Sequence, residues 1–563
     1  MNGLPESLDP PGEVDHLAQY AGRWVALLGE RVIGQGGTPD QALRAAKATR
    51  PKETPRIVYV PISKPIASSS LIEQVAEAIP DHIPLHLVGG AVRDALLGRS
   101  MHDLDFVLPG DVLKYARMVA NQIGAAYFPL DQERETARLI LPGHADSGRA
   151  LDFAAYRGPD LESDLRGRDF TVNAMALDLR QNMALFDPLG GAADLHARRL
   201  RACSPTSITD DPLRILRAIR LAAAYNFHIL PQTLALLRAG VSALPAVSSE
   251  RLRDELFKIL SGPQPHTCFR ALDLLGVFPH ILPELTALKG VDQSPPHVYD
   301  VWEHTLGVMQ QLDNVLQALQ ISYNEESAAN LIMGSLVMNL GRFRQQIDQH
   351  FQSELTKDRS LRGLLFLAAL YHDIGKPQTW AVDDANRIRF FQHDQVGESL
   401  LIERARSLRL SNVEIDRVGT IVRHHLRPIL LSQGSDPVSR RAIYRFFKAT
   451  GPAGVDICLL SLADVLATYG PSLSLEHWTR HLQVVRTLLQ AWWEAAQESV
   501  SPPAILDGNE LMEYLNLQPG PVVGQLLEAI RENQAVGKID AKEQALSLAK
   551  NLLNEIEGRL DQG

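Results

Sequence analysis

Two alternating aspartates, Asp103 and Asp105, close a stretch of 17 residues that opens with Gly89-Gly90-Ala91-Val92-Arg93-Asp94. In an extended strand, residues i and i+2 point to the same face. The pair therefore presents two carboxylates side by side, with Leu104 turned toward the core. Like charges that close repel each other unless a cation lies between them, and a hard, oxygen-liganded ion such as Mg²⁺ suits them. Gly89-Gly90 follow the apolar strand Leu85-His86-Leu87-Val88. They let the backbone approach a polyanion closely, with N–H groups aimed at phosphate. A phosphate cradle beside a metal-binding carboxylate pair points to phosphoryl or nucleotidyl transfer. Neither a lone DxD nor a lone GG carries that reading; their ordered combination does.

A second constellation lies far downstream. His304, His372-Asp373 and Asp464 form the ordered pattern H…HD…D, each in a helical context. Imidazole with carboxylate suits Mn²⁺, Fe²⁺, Ni²⁺, Co²⁺ or Zn²⁺ better than Ca²⁺. His393, His424 and His425 are further candidates, for a second metal or for phosphate, although a lone histidine on an apolar helix is commonly structural.

The elements that must position these groups follow from periodicity. Residues 1–17 read as a polar tail. Residues 18–62 read as a small ββαβ unit: Trp24–Leu28 and Arg31–Ile33 flank Gly29-Glu30, Thr38-Pro39 opens a helix, and Arg56–Pro61 is a third strand. Pro65 and Ser68-Ser69-Ser70 mark a linker. Residues 66–195 alternate helix and strand signals, with strands at 85–88, 103–107 and 150–156, as a small mixed α/β head would. Residues 196–285 turn helical, with Leu252, Leu256, Phe257 and Leu260 at 3–4 spacing. Residues 297–495 are mainly helical, and 501–563 form a helical tail after Ser501-Pro502-Pro503. The fold class expected is multidomain α+β.

Composition narrows the partners. A net charge of −10 over 563 residues excludes a uniformly basic nucleic-acid coat, so any RNA-binding face is local. Such a bias exists in Arg198, Arg199, Arg201, Arg214, Arg217 and Arg220 against Asp210 and Asp211. The three cysteines, Cys203, Cys268 and Cys458, form no CxxC and read as core residues of a reducing compartment. No uncharged apolar run reaches membrane-spanning length, and the N-terminus has no apolar leader, so a cytoplasmic location is expected.

The strand-GG-VRD-LLG-DLDF order resembles the opening motif of class II tRNA nucleotidyltransferases, the CCA-adding enzymes, and of the related bacterial poly(A) polymerases. Two further motifs of that family follow in order. Arg168-Asp169-Phe170-Thr171-Val172-Asn173 resembles its ribose-binding motif. Asp210-Asp211-Pro212-Leu213-Arg214 resembles its base-reading motif. The resemblance implies Mg²⁺ at Asp103 and Asp105; Asp152, on a later strand, is a candidate third carboxylate or a simple strand-end aspartate. It implies nucleotide contacts from Gly89, Gly90, Arg93, Arg168, Asp169 and Asn173. Asp211 would accept from the exocyclic amine of C or A and Arg214 would donate to ring acceptors, with Arg217 a further candidate. The spacing of Asp211 and Arg214 places them on one helix face, with Pro212 in the first turn and the aspartate at or near the N-cap; a helix cap with an intrahelical ion pair is the alternative role. The substrates implied are a tRNA 3′ end, CTP and ATP. The chain departs from the family at Gly167, where an arginine is usual, and Arg166 is the expected substitute. Asp210 also replaces the usual glutamate. A longer loop in place of Gly158–Ser163 helps several members switch from C to A, but some full CCA-adding members also have a short one, so full CCA, CC-only and A-only addition all stay open. The H…HD…D quartet resembles the HD phosphohydrolase superfamily, which implies a metal-dependent phosphatase or phosphodiesterase. Two alternatives compete: a poly(A) polymerase, whose C-terminus should be strongly basic, and an HD phosphohydrolase with an RNA-binding head. The sequence leaves the oligomeric state undecided.

Overall fold

The structure, a computed structural model, describes residues 17, 20, 23–37, 39–60, 70–99, 103–141, 150–181, 183–322, 330–434 and 437–560. Thr38 and nearly all of the expected tail and linker lie outside the described residues. The chain divides into two compact units, residues 1–244 and 245–563.

The first unit opens with the ββαβ element: β1 (Arg23–Leu28), β2 (Arg31–Gly36), α1 (Pro39–Thr49) and β3 (Arg56–Val60). The strand order is β2-β1-β3, antiparallel throughout. Period-2 alternation along β1 explains both of its faces. Val25 and Leu27 pack with Leu17 and Val60, while Ala26 faces Ala42 and Ala46 of α1.

The head follows. It comprises α2 (Ser70–Ala78), β4 (His86–Val88), α3 (Gly90–Leu96), β5 (Leu104–Leu108), α4 (Val112–Ile123), β6 (Ala126–Asp131), β7 (Thr136–Ile140) and β8 (Ala150–Ala155). Then come α5 (Leu161–Arg166), a 3-10 turn (Thr171–Asn173), β9 (Ala176–Asp178), β10 (Ala184–Phe186) and α6 (Gly191–His196). Seven strands form one sheet in the order β10-β9-β4-β5-β8-β7-β6. The three expected head strands are present. The β6–β7 hairpin and the β9–β10 pair add to them; β6 carries Pro129 and ends the sheet, where an edge strand tolerates proline. Register decides the site. Val88 pairs with Asp105, Asp105 with Asp152, and Asp152 with Arg138, so these four residues form one row across the sheet. Two short helices complete the region that concerns the site, α7 (Ser207–Asp210) and α8 (Arg214–Tyr225).

The second unit is mainly helical. The helices α9 (Val301–Ala318), α10 (Leu361–Tyr371), α11 (His393–Ser407), α12 (Asn412–His424) and α13 (Ala453–Tyr469) carry the histidine–aspartate pattern. α13 packs along α9, and α11 along α12. The stretch Ala453–Ser472 is long and apolar enough to cross a membrane, yet 89% of it is buried inside the protein and it carries Asp456 and Asp464. It is the core helix of this unit. The last segment has its own apolar cluster, in which Leu511, Leu526, Ile530, Ala545 and Ala549 close three helices between 508 and 560.

Candidate functional site

The row across the head sheet gathers the predicted transfer residues. Gly89 caps α3 with φ 75°, a conformation that favours glycine. A Cβ built there would lie 2.8 Å from Asp105 Oδ2 and 3.3 Å from Arg168 Nη1. The backbone at Gly89 thus passes directly over a carboxylate and a guanidinium. Gly90 begins α3 beside it, with Arg93 Nη2 3.3 Å from where its Cβ would be. Asp103 is exposed, one residue before β5 begins, whereas Asp105 is half-buried. Burial pushes the Asp105 carboxyl up to about 6; Arg168 and Arg138 pull it down, and Asp152 and Asp103 push it up. A half-buried carboxylate that feels two more carboxylates has a donor set that fits a divalent cation. Asp152 keeps its place in the row, but Arg138 takes both of its oxygens, at 2.8 and 2.7 Å. Among the described residues, these three carboxylates are not drawn within 4.8 Å of one another.

The second motif is organised around buried Asp164, which no sequence signal flagged beyond its i, i+4 spacing from Arg168. Arg168 pairs with Asp164 through both Nε and Nη2 at 3.0 Å. Arg157 comes from the other side: its backbone N–H donates to Asp164 Oδ1 at 3.3 Å and its Nη1 to the Gly167 carbonyl at 3.3 Å. A Cβ on Gly167 would meet Arg157 Cδ at 3.7 Å. The arginine beside Gly167 is therefore Arg157. The expected substitute, Arg166, is instead held by Glu162 at 2.6 Å on the exposed side of α5.

Asp169 and Asn173 are brought together, with Asn173 Nδ2 donating to Asp169 Oδ1 at 3.1 Å. Arg217 Nη1 donates to Asp169 Oδ2 at 3.2 Å, so Arg217 braces this motif. Arg93 is also diverted from the expected triphosphate contact. It is buried, forks onto both oxygens of Asp94 at 3.0 Å, and donates to Asn173 Oδ1 at 2.6 Å and Tyr225 Oη at 2.5 Å. Tyr225 Oη donates in turn to Asp94 Oδ1 at 2.8 Å. Every arm of Arg93 is used inside the protein. It ties α3 and the Asn173 turn to the end of α8.

The base-reading pair lies at the start of α8, where Asp211 precedes the helix near the expected cap position and its Oδ1 accepts from Leu213 N–H at 3.3 Å. Asp211 lies in extended backbone (φ −152°) between α7 and α8, and Arg214 is the first residue of α8. They meet through the backbone, Arg214 N–H donating to the Asp211 carbonyl at 3.1 Å. The Arg214 guanidinium is buried and donates to the carbonyls of Arg168 (3.2 Å), Ser207 (3.0 Å) and Gly167 (2.9 Å). Three of its five N–H bonds are thereby fixed by main chain. Asp210 accepts from Thr206 Oγ1 at 3.0 Å, a local brace.

The second unit holds a tighter cluster. Asp373 lies at its centre. Its Oδ2 is 3.2 Å from His372 Nε2, 3.5 Å from His304 Nε2 and 2.6 Å from Lys376 Nζ. Its Oδ1 is 3.4 Å from His393 Nε2 and 3.9 Å from His425 Nε2. Asp464 Oδ1 is 3.2 Å from His304 Nε2. Two trios, His304–His372–Asp373 and Asp373–His393–His425, gather their ligand atoms within 4.8 Å. The imidazoles of His372, His393 and His425 each place Nδ1 against a backbone carbonyl, of Ala369, Phe390 and Val422, at 2.7–2.8 Å. A carbonyl at that distance accepts from Nδ1–H, which turns Nε2 inward toward Asp373. Those Nε2 atoms, and that of His304, are buried without a hydrogen-bond partner. Lone pairs facing a carboxylate are unfavourable unless a cation lies between, so the set fits one or two metal ions. His424 is outside both trios; it ends α12, one residue and about 100° of helix phase from His425. Sequence reasoning missed Lys376 and also His297, whose ring lies 5.1 Å from that of His304.

Parts of both units match described protein families. Residues 85–201 match the family model described as "Poly A polymerase head domain", 226–289 that of "Probable RNA and SrmB- binding site of polymerase A", and 301–469 the "HD domain". Residues 15–64 match a family of unknown function. The A-adding tRNA nucleotidyltransferase of Deinococcus radiodurans is 34% identical over 480 residues, covering 84% of this chain and 96% of that protein. The CC-adding tRNA nucleotidyltransferase of Thermus thermophilus is 32% identical over 466 residues, covering 81% and 91%. The solved structure of a CCA-adding enzyme in complex with ATP shares the fold at a TM-score of 0.53 and 23% identity, covering 86% of this chain and 94% of that one. The chain, with its carboxylate row, its ordered motifs and near-complete coverage of these relatives, belongs to the tRNA nucleotidyltransferase family.

Proposed function

We propose that the head joins cytidine to a tRNA 3′ end from CTP, and that addition stops before the terminal A. The head reading rests on the row Val88–Asp105–Asp152–Arg138, which sets a half-buried carboxylate beside a second one and beneath a glycine turn. Mg²⁺ held by Asp103 and Asp105, with Asp152 behind them, would activate the 3′-hydroxyl and neutralise the triphosphate. The Gly89 backbone, Arg168 and Arg157 hold the triphosphate. Asp169 and Asn173 hold the sugar. Asp211 accepts from the exocyclic amine of the base, and Arg214 donates to its ring from a guanidinium that main-chain carbonyls keep rigid. Uracil and guanine would set a carbonyl against Asp211 and be rejected.

The preference for a partial reaction rests on one observation. Between Tyr156 and α5 there are only Arg157 and Gly158–Asp160, and Asp160 already caps α5 by accepting from Ser163 N–H at 2.8 Å. This segment is shorter than the loop that helps several family members switch from C to A. Three of the four relatives that cover four fifths of the chain are CC-adding enzymes, and the fourth is A-adding. The test offers tRNAs ending at the discriminator base, at C and at CC, with CTP and ATP separately. Two cytidines on the first and no A on the third support the proposal. A-addition alone, complete CCA or long A tails on unrelated RNA would each replace it.

For the second unit, the four inward-facing imidazoles favour a transition metal over Mg²⁺. Metal held by His304, His372, Asp373 and Asp464, and by His393 and His425, would supply a hydroxide for attack on a phosphate ester. Lys376 and His297 lie beside that centre.

A further inference from the structure

The N-terminal ββαβ unit has no role in the reading above, yet it grips the head. Arg23, the first residue of β1, is 6% exposed. Its Nη2 donates to the Ala192 carbonyl in α6 at 2.9 Å, and its Nη1 to Gln35 Oε1 of β2 at 2.5 Å. The β2–α1 turn closes on the same segment. A Cβ built on Gly37 would collide with Asp187 Oδ2, and one built on Gly190 would lie 2.6–2.7 Å from the Gln41 amide. Gln41 is itself fixed by accepting from Gly37 N–H at 2.9 Å.

What is gripped is the support of the nucleotide motif. Buried Asp187 accepts from the N–H groups of Gly191 and Ala192 at 2.7 and 2.9 Å and so sets the start of α6. Gly191 lies against the Thr171 carbonyl so closely that no Cβ fits. Three residues on, Asp194 accepts from Thr171 Oγ1 at 2.7 Å and from Arg201 Nε at 2.7 Å. Thr171 opens the turn that carries Asn173, the partner of Asp169. Each link is buried or hydrogen-bonded, so a displacement at α6 reaches Asn173.

We propose that the N-terminal unit is a brace for the nucleotide site, with Arg23 its positioning residue acting through α6 and Thr171 on Asn173. The inference rests on the reading of Asp169 and Asn173 as sugar contacts. The test uses full-length R23M, R23K and G37A, with kcat and KM for CTP and for tRNA measured well below the melting temperature of each variant. R23M should raise KM for CTP about five- to tenfold, the loss of one charge-assisted bond felt at a distance, and leave KM for tRNA unchanged. R23K, which keeps the charge and loses the fork, should recover part of it. G37A wedges the same contact from the other side and should act in the same direction even where R23M folds poorly. A KM for CTP within about twofold of wild type in both R23M and G37A, with only the melting temperature lowered, would overturn the brace. A selective rise in KM for tRNA would overturn it in favour of an RNA-contacting unit. Inactivity of the wild-type chain would instead sink the transfer reading beneath it.

Discussion

Replacing Arg157 by alanine separates two roles that the geometry keeps apart. The side chain is 55% exposed, and its ion pair to Asp164 is long, 3.7 Å from Nε to Oδ1. Exposed pairs of this kind contribute roughly 0–1 kcal/mol. Asp164 also keeps Arg168 at 3.0 Å after the substitution, so no buried charge is orphaned. The melting transition should therefore move little. The cost to binding is different. If the guanidinium beside Gly167 contacts the triphosphate, one charge-assisted hydrogen bond to substrate is lost, worth about 1.5–3 kcal/mol. At 1.4 kcal/mol per decade this is a rise in KM for CTP of roughly ten- to 150-fold. Steady-state addition to a discriminator-ended tRNA measures it, with R166A as the control that should behave as wild type. An R157A enzyme with unchanged KM, or an R166A enzyme with the larger defect, would refute the assignment of Arg157 to the site.

Other outcomes follow from the same geometry. Y225F deletes the hydroxyl that joins Arg93 and Asp94 to α8; because Arg93 and Asp94 still pair with each other, urea denaturation should show a loss of about 1–2 kcal/mol, with raised misincorporation from UTP. H425A should lower the metal content of the second unit, read by elemental analysis, and H424A should not; transfer by the head should survive both. Glu414 is raised by burial but held lower overall by Arg359 and Ser411, below its ordinary 4.5. A depressed carboxylate stabilises the fold above its unfolded pKa and loses that contribution as pH falls through the folded one. Thermal melts should therefore weaken below about pH 4.5, and R359M should flatten that dependence.

The parts of the fold legible in the sequence were those fixed by short-range rules. Strand alternation set Asp105 toward the cradle and Leu104 into the core, and the glycine pair announced a turn. Helical contexts with H, HD and D marked the second cluster before any geometry was known. What stayed hidden depends on register and on long-range contact. The pairing of Asp152 with Arg138 needs the β6–β7 hairpin, whose edge strand lacks a clean apolar alternation. Arg93 looks free in sequence and is bound by Tyr225, 132 residues away. Arg157 looks like a loop residue until α5 folds back and lays Gly167 against it. Asp211 and Arg214 have helix spacing, yet the helix starts at Arg214. The choice of His425 over His424 is a matter of helix phase, which two adjacent histidines cannot reveal.

The central claim is that the Asp103–Asp105 pair performs the transfer in this chain. The most direct measurement follows incorporation of labelled CTP into discriminator-ended tRNA by wild type, D103N and D105N, each confirmed to be folded and to retain the metal of the second unit. Loss of at least about a thousandfold in rate in both variants, with binding of tRNA intact, is the result expected when charge stabilisation supplies the chemistry. Transfer at near wild-type rate in either variant would contradict it.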